Sequence, residues 1–213
     1  MLREEVCNLL MSDALVIAHQ TNCSGVMGTG VAKQIKRVSL DDKEYVKYKK
    51  LCAQKGSSLL GTCQLLPRKD KTGHFVANLF GEDIPTGKGL DTNYDALHKS
   101  FLDLKKMLHD RRDVKDAVGD APPTIAIPAY IGCGLAGGNW DIVYRQILLP
   151  LFADSEEDVV ICYLPEAANR LWEDFRHIPW DVETGCILQP WHDFPAETGV
   201  STIFRYFKNV FDL

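Results

Sequence analysis

The sequence predicts a three-layer α/β/α domain, on three observations. Short apolar runs recur along the chain, helical patterns fall between them, and two glycine-rich segments each follow one of the apolar runs. Strands alternating with helices bury a sheet between two helical layers. With 213 residues, 46% hydrophobic and 25% charged, the chain can bury a full core as one globular domain with an appendage.

Taken in order, residues 5–10 and 14–18 read as strands, and a turn leads into a helix from Thr29 to about Arg37. Residues 41–54 place Tyr45, Tyr48, Leu51 and Cys52 at helical spacing, and Gly56 stops that helix. Residues 59–66 and 74–80 read as strands joined by a polar turn, and a loop follows from Gly81 to Gly89. From about Thr92 to His109 the stripe Tyr94, Leu97, Phe101, Leu104 and Leu108 predicts an amphipathic helix. Residues 111–123 are charged, end in Gly-Asp-Ala-Pro-Pro and read as a surface loop. The continuous apolar runs 124–128 and 159–164 are of the kind expected in central strands covered on both faces. Residues 140–152 between them read as a helix that Pro150 should end or kink.

Composition excludes several function classes. The net charge is −5 and no long Lys/Arg run appears, which argues against a nucleic-acid partner. Any bound anion must then be met by backbone amides. The N-terminus is acidic where a secretory leader is basic, and no stretch is apolar enough to span a membrane. Seven cysteines without a CxxC pair fit reduced thiols in a cytoplasm. His74, His98, His109, His177 and His192 show no metal-ligand spacing, so no metal site is expected.

The first glycine segment, HQTNCSGVMGTGVAKQIKR, offers Gly25, Gly28 and Gly30, which let the backbone approach a ligand without a Cβ clash. Amides at the start of the following helix favour an anion. Gly28-Thr29-Gly30 lacks the third glycine of a dinucleotide fingerprint, and a plain strand-to-helix turn explains one such loop equally well. The second segment, Gly132-Cys133-Gly134-Leu135-Ala136-Gly137-Gly138, is denser in glycine than a turn requires. Two such loops after two apolar strands point to a ligand at the carboxyl edge of a sheet.

In combination, the MGTGVA, NLFG, TNY and IPAYIGCGLAGGNW motifs resemble the macrodomain, the ADP-ribose-binding α/β/α fold, over about Leu2 to Pro165. The nearest branch by resemblance holds ADP-ribose-1''-phosphate phosphatases and terminal ADP-ribose glycohydrolases, with bacterial and phage relatives. The resemblance implies a central mixed, mostly parallel sheet and binding of ADP-ribose or an ADP-ribosylated substrate. It further implies hydrolysis of ADP-ribose-1''-phosphate or an ADP-ribosyl adduct, with a non-catalytic ADP-ribose reader as the alternative. No resident cofactor is implied; ADP-ribose is the ligand or product.

Residue by residue, Asn8 matches the position that faces the adenine amino group, usually an aspartate, and Leu9 follows it. Tyr163 matches an aromatic that packs on adenine, its other reading being a half-buried strand tyrosine. Asn22 matches the asparagine facing the distal ribose. Gly25, Val26, Met27, Gly28, Thr29, Gly30, Val31 and Ala32 match one loop around the distal ribose and diphosphate. Ile131, Gly132, Cys133, Gly134, Leu135, Ala136 and Gly137 match the other. The glycohydrolase lysine position holds Glu82 and the aspartate position holds Ala136, whereas His19 ahead of the first loop fits the phosphatase-like members. The expected catalytic set is therefore His19 and Asn22, orienting or protonating the leaving group, with Glu82 or Asp83 as a base for water. Lys88 lies later in the Glu82 loop, either reaching the site or solvated. His19 has a second reading as a strand-end histidine with its bonds satisfied. Cys133 has no base nearby in sequence and reads as a small residue in a tight loop.

The macrodomain pattern ends at Pro165, giving domains 1–165 and 166–213. The remainder holds Trp172, Trp180 and Trp191 with Phe175, Phe194, Phe204 and Phe207. So aromatic a C-terminal extension is expected to pack on the domain or to anchor a protein partner.

Overall fold

The computed structural model describes residues 1–119 and 121–164; the aromatic extension, and the expectations placed on it, lie outside the described residues. Six strands form one sheet in the order β1-β6-β5-β2-β4-β3. They are β1 (Leu2–Val6), β2 (Val16–Asn22), β3 (Cys63–Pro67), β4 (Phe75–Glu82), β5 (Thr124–Pro128) and β6 (Asp158–Tyr163). All neighbours pair in parallel except β3, which runs antiparallel to β4.

Strand alternation sorts the core into two clusters, one on each face. Val16, Ala18, Ala77, Leu79, Ile125, Ile127, Val159 and Ile161 point to one side. There they meet α3 (Tyr94–Asp110) through Leu97, Phe101, Leu104 and Leu108, and α4 (Arg112–Val118) through Val114. Ile17, Val76, Phe80, Ala126 and Val160 point to the other. That face meets Ile35 of α1 (Gly30–Ser39), Tyr48 and Cys52 of α2 (Asp42–Lys55), and Leu9. The three-layer architecture is as expected.

Several boundaries differ from the sequence expectation. The first strand is Leu2–Val6 rather than residues 5–10, because Asn8 accepts a hydrogen bond from Leu10 N and turns Leu9–Met11 into a 3₁₀ turn. The second continues past Ala18 through four polar residues to Asn22. The expected strand 59–66 is a 3₁₀ turn, Gly56–Leu59, followed by β3. The charged stretch 111–123 contains α4, a short helix anchored by fully buried Val114. Pro150 does not end its helix. Trp140–Ile142 (α5) runs through a π-helical turn, Val143–Leu148, into Leu149–Phe152 (α6). The wider i→i−5 bonding just ahead of the proline, Leu149 N to Tyr144 O, accommodates its missing N–H and its ring.

Candidate functional site

The carboxyl ends of β1, β2, β4, β5 and β6 share one edge, and both glycine loops leave from it, after β2 and after β5. These two strands are neighbours at the topological switch point. From β2 the chain turns toward β4, and from β5 toward β6. Their ladder stops after Val16↔Ile125 and Ile17↔Ala126, while β2 stays paired with β4 as far as Asn22 and β5 with β6 as far as Pro128. The strands part where the loops begin, the crevice in which open α/β sheets hold ligands.

The first loop is built on Asn22. Its Oδ1 accepts from Ser24 N at 3.1 Å and Val26 N at 3.2 Å, and its Nδ2 donates to Val26 O at 2.8 Å. Below it, Thr21 Oγ1 donates to Tyr48 Oη, which donates to Asn22 O at 2.7 Å. Met27 is buried as the loop's anchor, while Val26, Gly28, Thr29 and Gly30 are exposed. Thr29 makes no side-chain cap and the first turn of α1 carries no acidic residue. The amides of Gly30, Val31 and Ala32, in the first turn after the loop, therefore have no capping side chain, as an anion requires.

The second loop is locked by its own neighbours. Gly138 N donates to Gly132 O at 2.9 Å and Gly137 N to Gly134 O at 3.0 Å. Asp91 N and Thr92 N donate to Ala136 O at 2.8 and 3.0 Å, tying the loop to residues 83–93. A Cβ on Gly137 would lie 2.2 Å from Gly89 O, and one on Gly138 2.5 Å from Gly132 O. The glycine density that suggests a phosphate clamp thus serves internal close approach at these two positions. At Gly30 and Gly134, by contrast, nothing lies within 4 Å of an added Cβ, and at Gly28 only Val26 Cγ1 at 3.7 Å. Tyr130 enters the loop at φ 61°, a strained left-handed conformation for a bulky residue.

The remaining expected site residues fall into two groups. Asn8 lies at the β1 end of the same edge, where Cys7 N donates to Tyr163 O at 2.9 Å, beside a groove of about 450 Å³ lined in part by Cys7, Met11 and Val160. Leu9 is buried in the core. Tyr163 is 4% exposed, not half-buried, with Tyr130 edge-on at 5.9 Å. Its hydroxyl is held protonated by burial, next to Glu4. Glu82 and Asp83 lie at the β4 end, their carbonyls accepting from Cys23 N at 3.1 and 2.9 Å. The Glu82 carboxyl is raised above its ordinary range by burial and by Asp91. Asp83 lines a second groove, of about 590 Å³, with Leu90, Thr92 and Tyr94. Lys88 is exposed in the same loop.

His19 is fully buried on the α1/α2 face, Nε2 2.8 Å from Asn78 Oδ1, and Asn78 Nδ2 donates to Gln64 Oε1 at 3.1 Å. Burial lowers its pKa to about 4. It is neutral at physiological pH and does not open on the cleft. Burial pushes the Cys133 thiol up to about 12, so it stays protonated and is a poor nucleophile. Sequence reasoning gave no role to Gln20, Thr92, Tyr130 and Trp140, which pack about the second loop; Thr92 lies in the TNY motif and Tyr130 and Trp140 in IPAYIGCGLAGGNW, but a motif does not say what each side chain touches. Among the described residues no three His, Cys, Asp or Glu side chains group to hold a metal, and no helix is long and apolar enough to cross a membrane.

Fold and loops together define a three-layer α/β/α domain with a ligand cleft at the carboxyl edge of a mostly parallel sheet. The Macro domain family model matches residues 18–147, and the chain belongs to that family. It is similar to the ADP-ribose 1''-phosphate phosphatase of Saccharomyces cerevisiae (strain YJM789), 32% identical over 115 residues. That match takes in 51% of this chain and 63% of the yeast protein, so the chain spans less than two thirds of that relative. An uncharacterized 17.5 kDa protein from the tk-vs intergenic region of Enterobacteria phage T4 is 28% identical over 158 residues, 73% of this chain and 91% of the phage protein. In structure, the macrodomain of Mycobacterium tuberculosis DarG superposes with a TM-score of 0.60 at 22% identity, covering 78% of this chain and 98% of that one, a likeness of fold.

Proposed function

We propose that this macrodomain binds ADP-ribose along the carboxyl edge of its sheet and hydrolyses a substituent from the distal ribose, ADP-ribose-1''-phosphate being the favoured substrate. The observation that carries the reading is the parting of β2 from β5 between two glycine loops, one presenting the uncapped first turn of α1. The likeness to a yeast ADP-ribose 1''-phosphate phosphatase supports the choice of substrate. On this reading adenine lies toward Asn8 and the β1/β6 edge, the diphosphate meets the amides of the two loops, and the distal ribose lies toward Asn22, Glu82 and Asp83. Asn8 Oδ1 accepts from Leu10 N, leaving its second lone pair for the adenine amino group and its amide N–H groups for a ring nitrogen.

Glu82 is the assigned base for water. It stands at the β4 end, its backbone in register with Asn22, and partial burial with a neighbouring Asp91 raises the proton affinity of its carboxyl, the direction a general base at neutral pH needs. His19 and Asn22 act by orientation. His19 is neutral and enclosed, and braces the middle of β2 against β4 through Asn78, while Asn22 shapes the first loop. Asp83 is the alternative base, and Lys88 is solvated.

The same burial of His19, with the Asn22 side chain engaged by its own loop, favours a second reading, a non-catalytic reader of ADP-ribose. Calorimetry with ADP-ribose, followed by a phosphate-release assay on ADP-ribose-1''-phosphate, separates the two. Binding with release that Glu82→Gln abolishes supports the hydrolase. Binding without release supports the reader, and no binding to either compound rejects both.

A further inference from the structure

We propose that Gln20 and Thr92 are positioning residues that hold the second glycine loop in its ligand-ready shape before any ligand arrives. The proposal rests on the ADP-ribose reading for its binding arm and is independent of it for its loop arm. Gln20 lies on β2 between Ala18 and Asn22, on the sheet face opposite His19, with its side chain directed at the second loop rather than into the core. Thr92 follows the loop 83–91 and bridges back to Glu82 of β4.

Their hydrogen bonds allow one orientation. Thr92 Oγ1 lies 2.6 Å from Gly132 O, which can only accept, so the hydroxyl proton goes there. The same oxygen must then accept, and it does so from Gln20 Nε2 at 2.9 Å. The relay runs Gln20 amide to Thr92 hydroxyl to Gly132 carbonyl, joining β2, residues 83–93 and the glycine loop. Gly132 stands at φ +73, and an added Cβ would lie 2.5 Å from Gln20 Oε1 and 3.0 Å from Thr92 Oγ1. On the other side, a Cβ on Gly81 would lie 2.9 Å from the same Oε1. Gln20 therefore fills the space that these two glycines leave, and Gly132 is a glycine because of Gln20 and not because of a phosphate.

One carbonyl carries the hinge of the loop. Gly132 O accepts from Thr92 Oγ1 and from Gly138 N, closing residues 132–138 into a ring whose far side presents Gly134 and Leu135. Thr92 is 4% exposed, its hydroxyl turned to Gly132 O at the edge of the groove it lines with Asp83. Loss of the relay frees the ring.

The test compares Thr92→Val, which keeps shape and removes the hydroxyl, with Thr92→Ser, which keeps the hydroxyl, and with Gln20→Met. Two readouts are taken on the full chain: amide exchange of residues 131–138 without ligand, and ADP-ribose affinity by calorimetry. Thr92→Val and Gln20→Met are expected to speed exchange in 131–138 and to weaken ADP-ribose about tenfold, the scale of one buried hydrogen bond. Thr92→Ser is expected within about twofold of the parent on both. Unchanged exchange in Thr92→Val overturns the proposal, and so does Thr92→Ser behaving like Thr92→Val. Weakened binding in Gln20→Met with unchanged exchange also overturns it, since Gln20 would then touch the ligand itself. If the parent protein does not bind ADP-ribose, the functional reading fails, while the exchange arm still decides the role of the relay.

Discussion

His19 and Glu82 are both held away from their ordinary titration, in opposite senses. The unfolded chain protonates His19 at about 6.5, whereas the folded protein resists until about 4, because the charged ring cannot be solvated in its enclosure. Between those values the unfolded state binds the extra proton, so stability falls as pH drops from about 6.5 to about 4, by on the order of 3 kcal/mol. Urea unfolding across that window is expected to show the decline in the parent and a flatter profile in His19→Gln. Glu82 works the other way. Its folded pKa is raised by burial and Asp91, so ionising it costs stability, which is lost as pH rises through that value. Glu82→Gln is therefore expected to melt higher than the parent at neutral pH, with the gain shrinking on acidification, while phosphate release is lost. A gain in stability coupled to a loss of turnover is the signature of a carboxylate kept for chemistry. Neither shift was readable from residue type. Sequence places His19 and Glu82 ahead of a glycine loop and after a strand, but burial, which sets both pKa values, depends on which sheet face each residue occupies.

At the scale of elements, the two glycine loops differ in why they are rich in glycine. Gly137, at φ +67 with Gly89 O 2.2 Å from an added Cβ, has no room for a side chain. Gly137→Ala is expected to destabilise the domain by about 2 kcal/mol or more, read from the denaturation midpoint. Gly134 has open space on that side, and Gly134→Ala is expected to change stability by no more than about 0.5 kcal/mol. Equal losses for the two would refute the assignment of Gly137 to loop-on-loop contact. Both loops were legible in the sequence because glycines after apolar runs are local signals. The division of labour among them was not, since the partner of Gly137 lies in residues 83–93, far along the chain. The same limit explains the element boundaries. Polar His19, Gln20, Thr21 and Asn22 hide the second half of β2 from the sequence, although ladder bonds to β4 carry the strand to its end. α4 was hidden in a charged stretch that shows one buried residue, Val114. Apolar Leu9 and Leu10 resemble the end of a strand, whereas Asn8 caps a turn there and β1 ends at Val6.

For the whole molecule, the question is how much of the chain the fold needs. Both core clusters are assembled from residues 2–163, and each face of the sheet carries its own layer, α1 and α2 on one side and α3, α4, α5 and α6 on the other. Among the described residues the sheet ends on short edge strands, β1 and β3, of 5 residues each. The fold class was readable from the alternation of elements, because that alternation leaves few topologies once strands must be parallel and crossovers right-handed. Among the described residues the two clusters run from Leu2 to Tyr163. A chain ending at residue 165 is accordingly expected to unfold in one cooperative transition and to retain ADP-ribose affinity within about threefold of the full chain. That outcome assigns the aromatic extension to a protein partner or to another copy of the chain, which sedimentation of the full-length protein then separates. A truncated chain that fails to fold instead assigns the extension to the domain's own surface. The groove of about 450 Å³ beside Cys7, Met11 and Val160 is then the first place to look, through cross-links from residues 166–213, because apolar Met11 and Val160 line it at the β1/β6 side of the sheet.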